Sequence, residues 1–420
     1  MTETGNTRNV MLTRRRVLQA FSISLATSAA AGRATRLEAF EPGAGTIDWV
    51  ELKRQFLLLP GLAHLNAASL GACPRSVLNA RHEAELALES NPAVLGYGAM
   101  VEQANAVRAR VAAFLGCTLE EITLTHNTTD GMNLVAEGCD LLAGDHILTT
   151  DHEHTGGSLC WETTAKRRSA ILDRVTLPAA PRDEDAILSR FESALTERTK
   201  IVSVSHVTYT TGLKLPITRL GELLRPRGCL LVVDGAQAVG SIPVNVRELG
   251  CDAYATSGHK WLLGPKGTGM LYIRRESRER IAPLRLASGL GAYTGATGVQ
   301  DLPALIGLGA ALDWLNGLGR DAVQKRLLEL RRMIVTALEG LNGVRIVSPS
   351  PESGLATPIV SLHLPNHAGA TVIGRLLKRH NVCVKSVGRP SIDIRLSPHV
   401  YNSPEDVDRL AEALRSEMQS

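Results

Sequence analysis

Aromatic side chains make up only 4% of the 420 residues. That is too few for the stacking platforms on which proteins hold single-stranded nucleic acid. Seven cysteines, at positions 73, 117, 139, 160, 229, 251 and 383, are scattered with no Cys-x-x-Cys and no paired spacing. That excludes a tetrahedral zinc site of the usual kind. An excess of positive charge is also missing once its source is located. The formal net charge of +4 resides in the first 34 residues, where Arg8, Arg14, Arg15, Arg16 and Arg33 stand against Glu3. The rest of the chain is balanced and offers no basic stripe to a nucleic acid or other polyanion. No apolar run is long enough to span a bilayer. What is present is an ordinary globular composition, 44% hydrophobic and 21% charged, in a chain long enough for one large domain and a smaller one.

The N-terminal arginines have an order to them. Thr13-Arg14-Arg15-Arg16-Val17-Leu18-Gln19 is followed by a moderately apolar stretch from Ala20 to Ala31 and by small residues at Ala29, Ala31 and Ala34. The pattern resembles a twin-arginine export signal over residues 1–34, read by the twin-arginine translocase and directing the folded protein to the periplasm. A basic tail with chance alanines would lack that order. An odd number of cysteines in an exported protein leaves at least one free thiol, and their apolar neighbours predict buried structural thiols.

Past a linker at Arg36 to Thr46, helical spacing covers Asp48 to Phe56 and a short strand begins at Ala63. A helix is predicted from about Glu102 to Leu115, stopped by Gly116. Strand-like runs then alternate with helical patterns: Ile122 to Thr125, Asp145 to Thr149, Ile201 to Val207, Leu230 to Asp234, Ala253 to Thr256 and Gly269 to Ile273. Such alternation predicts an α/β fold with a mostly parallel sheet covered on both faces. Two helices follow, Leu302 to Leu315 and Asp321 to Leu341. A small C-terminal α/β domain is then expected, with strands at Pro358 to His363, Val382 to Val387 and Ile392 to Leu396 and helices at Thr371 to His380 and Pro404 to Arg415.

The chemistry concentrates in residues 230–272. The apolar run Leu230 to Val233 ends in Asp234, and Ser257-Gly258-His259-Lys260 leads into a turn with Gly264, Gly267 and Gly269. An acid at the end of a buried strand, followed by a lysine among small and hydroxylated residues, is what pyridoxal phosphate (PLP) requires. Lys260 would form the Schiff base, Asp234 would keep the pyridinium nitrogen protonated, and Ser257 and His259 would reach the phosphate. A lone lysine at a strand end is commonly a surface residue. Here Asp234 stands 26 positions upstream, at the carboxyl end of a strand, where ligands of open α/β sheets collect. His126-Asn127-Thr128-Thr129-Asp130-Gly131 leads from a strand into a helix, and its N–H groups and threonine hydroxyls suit a dianion, although Thr-Thr before a helix also serves as a plain cap. Asp151-His152-Glu153-His154 holds two histidines and two acids, but no further ligand recurs at metal spacing, so no metal site is expected.

These residues resemble the class V aminotransferase family of fold type I PLP enzymes, in the style of its isopenicillin N epimerase branch. The resemblance spans roughly residue 60 to the C-terminus. It implies a large PLP-binding domain over 61–305 with a seven-stranded sheet between helices, after a linker and N-terminal segment at 35–60. Linking helices and the small domain would occupy 306–420. It further implies that His154 stacks on the PLP ring, that Gln237 contacts the ring hydroxyl, and that Thr128 and Thr129 join the phosphate cradle. Arg395 in Ile394-Arg395-Leu396-Ser397 would grip a substrate α-carboxylate, which its planar fork suits, although a strand arginine facing solvent is the bland alternative. Asn66 and Ser69, in Leu65-Asn66-Ala67-Ala68-Ser69-Leu70-Gly71, match the substrate-side turn. Tyr209 stands where cysteine desulfurases of the family carry Asn, which places it at the cofactor edge or the substrate. His152 has no counterpart in the family, and His206, in a segment that resembles the family's Ser-His-Val, is read as a core histidine. Gly298-Val299-Gln300-Asp301 resembles a segment that reaches a partner's phosphate across a homodimer, with Val299 in place of threonine.

Three readings follow. The first is an exported PLP enzyme acting at the α-amino group or α-carbon of an amino acid or peptide-like metabolite: an aminotransferase, an epimerase or an oxidative tailoring enzyme. The second is a C–S lyase of the cysteine desulfurase kind. It is disfavoured because Val384 to Ser391 joins two strands without a cysteine, and Cys383 falls within the preceding strand. The third is a catalytically inactive binding protein, which would have no reason to keep Asp234, His154, Thr128, Ser257, His259 and Lys260 together.

Overall fold

The computed structural model describes residues 47–419 with the exception of Asn366. The export signal and the linker expected before residue 47 lie outside the described residues.

The central sheet has seven strands: β2 (Ile122–Thr125), β3 (His146–Thr150), β4 (Ile171–Val175), β5 (Thr199–Ser205), β6 (Leu230–Asp234), β7 (Ala253–Ser257) and β8 (Gly269–Ile273). β1 (Ala63–His64) precedes them in the chain and pairs elsewhere. The strand order is β2-β8-β7-β6-β5-β3-β4. β8 runs antiparallel to both its neighbours, and all other pairs are parallel. β6 and β7 are buried along their whole length, which is why they read as continuous apolar runs rather than alternating ones. β4 escaped the sequence reading because it is an edge strand with Asp173 and Arg174 at its centre and only Val175 buried.

The helix Ala99–Leu115 ends at Gly116, whose φ of 75° is the left-handed cap that a β-carbon would strain. A helix not read from the sequence, Arg75–Ser90, buries only Val77 and Ala84, too faint a stripe to recognise. It packs against Leu302–Leu318, a helix apolar over most of its surface because it runs through the large core. No single helix among the described residues is long and apolar enough to cross a membrane.

The helices after residue 306 take part in two hydrophobic cores. Leu305, Leu312, Val323 and Leu327 belong to the large core, and Ile334 and Leu338 of the same helix (Arg320–Leu338) belong to the small one. Ala63 and Leu65 also join the small core, because β1 pairs in parallel with β11 (Val382–Cys383). The small antiparallel sheet has the order β12-β13-β10-β9, from β9 (Arg345–Ile346), β10 (Val360–His363), β12 (Lys385–Arg389) and β13 (Ile392–Leu396). The single strand expected over Val382 to Val387 is therefore broken at Val384 into β11 and β12, each bonded in a different sheet. The segment expected to link two strands is mostly strand itself.

Candidate active site

Five strand ends converge on one cavity of about 350 Å³. Asp234 closes β6, and β7 runs through Ser257 into His259 and Lys260. β2 leads to Asn127, Thr128 and Thr129, β3 to His154, and β5 to Tyr209. The parallel strands deliver their residues at their carboxyl ends, where crossover loops leave room for a ligand. Of the candidate catalytic, cofactor and substrate residues, all line this cavity except Asn66, which reaches it only through Arg395. A cavity of about 410 Å³ elsewhere, beside Phe114 and Pro243, is the roomier one. Its Arg320 already donates to the carbonyls of Phe114 and Val244, and nothing there matches the chemistry of the first.

Lys260 and Asp234 set the electrostatics. Burial pushes the Lys260 amine down to about 8; the Asp234 charge opposes the shift and the Arg395 charge adds to it. Burial pushes the Asp234 carboxyl up, against the pull of Lys260, the Ala236 N–H and His154. Both directions have one origin, the loss of water from a charged group. One carboxylate oxygen accepts from the Ala236 N–H at 2.9 Å. A desolvated amine facing a fixed acid is a nucleophile with a substantial neutral fraction near neutral pH.

The phosphate end is built from backbone and hydroxyls. The helix Thr128–Gly138 starts at the cavity, capped by the Asn127 side chain, which accepts from the Asp130 N–H. The Thr128 N–H donates to Ser257 Oγ at 2.9 Å, and the two hydroxyls lie 2.7 Å apart. His259 is held neutral by burial first and by Lys260 and Lys266 next, its pKa lowered to about 4, and its buried Nδ1 has no partner among the described residues. An orphaned buried ring nitrogen beside a helix N-terminus is what a phosphate dianion would satisfy. These residues fit PLP, with Lys260 to hold it covalently and Asp234 to face its ring nitrogen.

At the ring position, His154 accepts the Gly156 N–H on Nδ1 at 3.0 Å, so its Nε2 carries the hydrogen. Burial, and then Lys260, lower its pKa. The Tyr209 ring meets it edge-on at 5.0 Å. Gln237 is tied at both ends: Nε2 donates to the Ala68 carbonyl at 2.9 Å and Oε1 accepts from Trp261 Nε1 at 2.8 Å. That leaves one amide hydrogen for a ligand. Arg395 is buried and bonded to neutral groups only: the Tyr209 carbonyl at 3.2 Å, Ser69 Oγ at 2.8 Å and Asn66 Oδ1 at 3.4 Å. Its Nε has no partner among the described residues. Burial lowers its pKa to about 10, so a carboxylate entering beside it would meet a poorly solvated cation.

The class V aminotransferase profile matches residues 65–410. The chain belongs to the class V aminotransferase family. Members of this family bind PLP, and the fold is that of fold type I PLP enzymes. The isopenicillin N epimerase of Amycolatopsis lactamdurans is 32% identical over 391 residues, covering 87% of this chain and 98% of its own. The cysteine desulfurase of Enterobacter sp. (strain 638) is 28% identical over 400 residues, covering 88% and 96%. Among solved structures, the apo cysteine desulfurase of Thermococcus onnurineus NA1 superposes with a TM-score of 0.78 at 26% identity, over 88% of this chain and 98% of that one. A mutant of the cystine C–S lyase C-DES, with glycine covalently linked to its PLP, gives the same TM-score at 25% identity, over 88% and 99%.

The tetrad 151–154 of this family member diverges rather than converging on a metal. His152 bonds Thr210 Oγ1 and the Leu177 carbonyl, and Glu153 accepts from Thr150 and Ser205 at 2.6 Å each. His206 is buried against the Tyr254 hydroxyl at 2.9 Å. Val299 is exposed and away from the cavity. Three residues of consequence were not read from the sequence. Glu153 is buried one position before the ring-facing histidine. Gly157 packs on Asp234. Lys385 lines the cavity from β12. Lys385 fell within the strand expected over Val382 to Val387, but its place beside the cavity follows from the pairing of β12 with β13.

Proposed function

We propose that this class V protein is an exported PLP enzyme acting at the α-amino group or α-carbon of an amino acid or peptide-like metabolite, by transamination, epimerisation or an oxidative tailoring reaction. The observation that carries the reading is the meeting of Lys260, Asp234 and Arg395 in one cavity. PLP bound there supplies an electron sink that weakens the bonds at the α-carbon of an attached amine. The chain's own groups do the rest. Arg395 would bind the substrate carboxylate and orient the α-carbon. The Lys260 amine, neutral in part because burial lowers its pKa, would take or return a proton at that carbon. Asp234 would hold a proton at the ring nitrogen, and the flanking His154 and Tyr209 rings would keep water from the face they cover.

Desulfurase relatives make C–S chemistry the competing reading, but the thiol geometry argues against it. Cys383 is half-buried in the β1–β11 pair, and burial pushes its thiol up, against a hydrogen bond with Asn66. A sulfur-accepting thiol needs the opposite environment. Export to the periplasm is supported by the Arg14-Arg15 signal, and a homodimer by the exposed apolar residues Leu284, Tyr293 and Val299. Incubating the purified holoenzyme with L-cysteine, free amino acids and peptidyl precursors tests the reaction type. Keto acid or inverted α-carbon without sulfide is the expected outcome. Rapid sulfide release lost in Cys383→Ala would replace this reading with the desulfurase.

A further inference from the structure

Arg395 has a cationic neighbour that its substrate role does not use. In the β12–β13 ladder Lys385 stands directly opposite Arg395, so the two side chains share one face of the sheet. Like charges directly opposed across a ladder are destabilising unless something neutralises them. Nothing on the chain does so: among the described residues neither forms an ion pair, and Asp234 is the only carboxylate lining the cavity. Arg389, beyond a β-bulge further along the same strand, lies over the Tyr209 ring with its guanidinium carbon 6.0 Å from the centroid. Tyr209 in turn meets His154, so a stack of side chains leads from the ring position outward to a second cation. The field of Lys385 is felt inside the cavity, where it and Arg395 both help to lower the pKa of His154. The phosphate end, at Thr128, Ser257 and His259, is built by other strands and leaves these cations uncommitted.

We propose that Lys385 and Arg389 form an anion subsite, so that the substrate is an amino acid or peptide carrying a second anionic group beyond the carboxylate held by Arg395. The proposal rests on the reading that Arg395 takes the carboxylate of an amino-acid substrate. One carboxylate satisfies one guanidinium fork, and the remaining two cations on β12 match a distal carboxylate on the side chain or on the next residue of a peptide. Lys385 is exposed and Arg389 half-buried, so the distal group would sit at the mouth, where long substrates can extend into solvent.

The test titrates the holoenzyme with matched pairs, 2-aminoadipate against norleucine and glutamate against glutamine, in both enantiomers, and reads the visible band of the bound cofactor. The anionic member of each pair is expected to bind at least about tenfold tighter, the order of one or two charge-assisted hydrogen bonds. The Lys385→Gln/Arg389→Gln variant should lose that preference while its affinity for the neutral member and its cofactor content stay as in the wild type. Equal affinity within the pairs, or a preference that survives the double substitution, overturns the proposal. A second measurement separates it from the amino-acid reading: calorimetric binding of glutarate against butyrate, neither of which has an amine. Glutarate bound tighter, and no longer so in the double variant, supports the subsite even if no amino acid changes the spectrum. Equal heats and affinities for the two overturn it.

Discussion

Gly157 lies against Asp234 so closely that a β-carbon on it would stand 2.6 Å from Oδ2. The helix Thr155–Arg168 thus has a glycine at its third position because the acid at the end of β6 occupies the space. Overpacking of this kind costs about 1–3 kcal/mol, and here it falls on the group proposed to face the cofactor's ring nitrogen. Gly157→Ala is expected to weaken PLP binding by about tenfold, with far-UV circular dichroism unchanged. Titrating the apoprotein with PLP measures it, and wild-type affinity would show that the carboxylate does not need its present placement.

Lys260 predicts a pH dependence. Its amine must be neutral to react, and its pKa is lowered to about 8, so the neutral fraction grows as pH rises through that value. The rate of recombination of apoprotein with PLP should therefore climb between pH 7 and 9 and level off above, about two units earlier than for an unperturbed lysine. Lys260→Ala should carry no cofactor covalently attached to the chain after borohydride reduction, read by mass spectrometry of the intact protein. A reduced PLP adduct on that variant would remove Lys260 from its assigned role.

Glu153 predicts a second pH effect of opposite kind. Burial raises its pKa to about 7, against the hydroxyl bonds from Ser205 and Thr150 that lower it. A carboxyl whose folded pKa is raised gives stability that is complete below its unfolded value and is lost as pH rises through the folded one. The window is then roughly pH 4.5 to 7, and the loss is on the order of 3 kcal/mol. Thermal melts of the wild type should fall across this range more steeply than those of Glu153→Gln, which cannot ionise. Parallel profiles would mean that Glu153 is charged throughout.

Export gives a test independent of chemistry. Replacing Arg14 and Arg15 with Lys should leave full-length precursor in the cytoplasm, while the wild type appears processed in the periplasm, because the pair is the feature the translocase reads. Full-length wild-type protein found only in the cytoplasm would defeat the export proposal.

Six of the seven central strands were legible because strands buried on both faces need unbroken apolar runs, as in Leu230–Val233. β4 was not, since an edge strand tolerates Asp173 and Arg174. Most of the cavity was legible for a related reason. Parallel strands present their last residues at one end of the sheet, so Asp234, Ser257 and Thr128 were bound to meet once the strands were recognised. The position of Lys385 at the cavity was hidden because it depends on which strand β12 pairs with, opposite Arg395 of β13.

The sequence by itself determined the βα alternation, the family and the candidate residues Asp234, Lys260 and Arg395. These are local patterns, each readable within a strand and the turn that follows it. Only the tertiary structure decided the pairings between distant segments: Gly157 against Asp234, Lys385 opposite Arg395, β1 built into the small domain's core. Register and domain boundary depend on which faces find each other in three dimensions, and that choice is made by packing across the whole chain rather than by any one stretch of it.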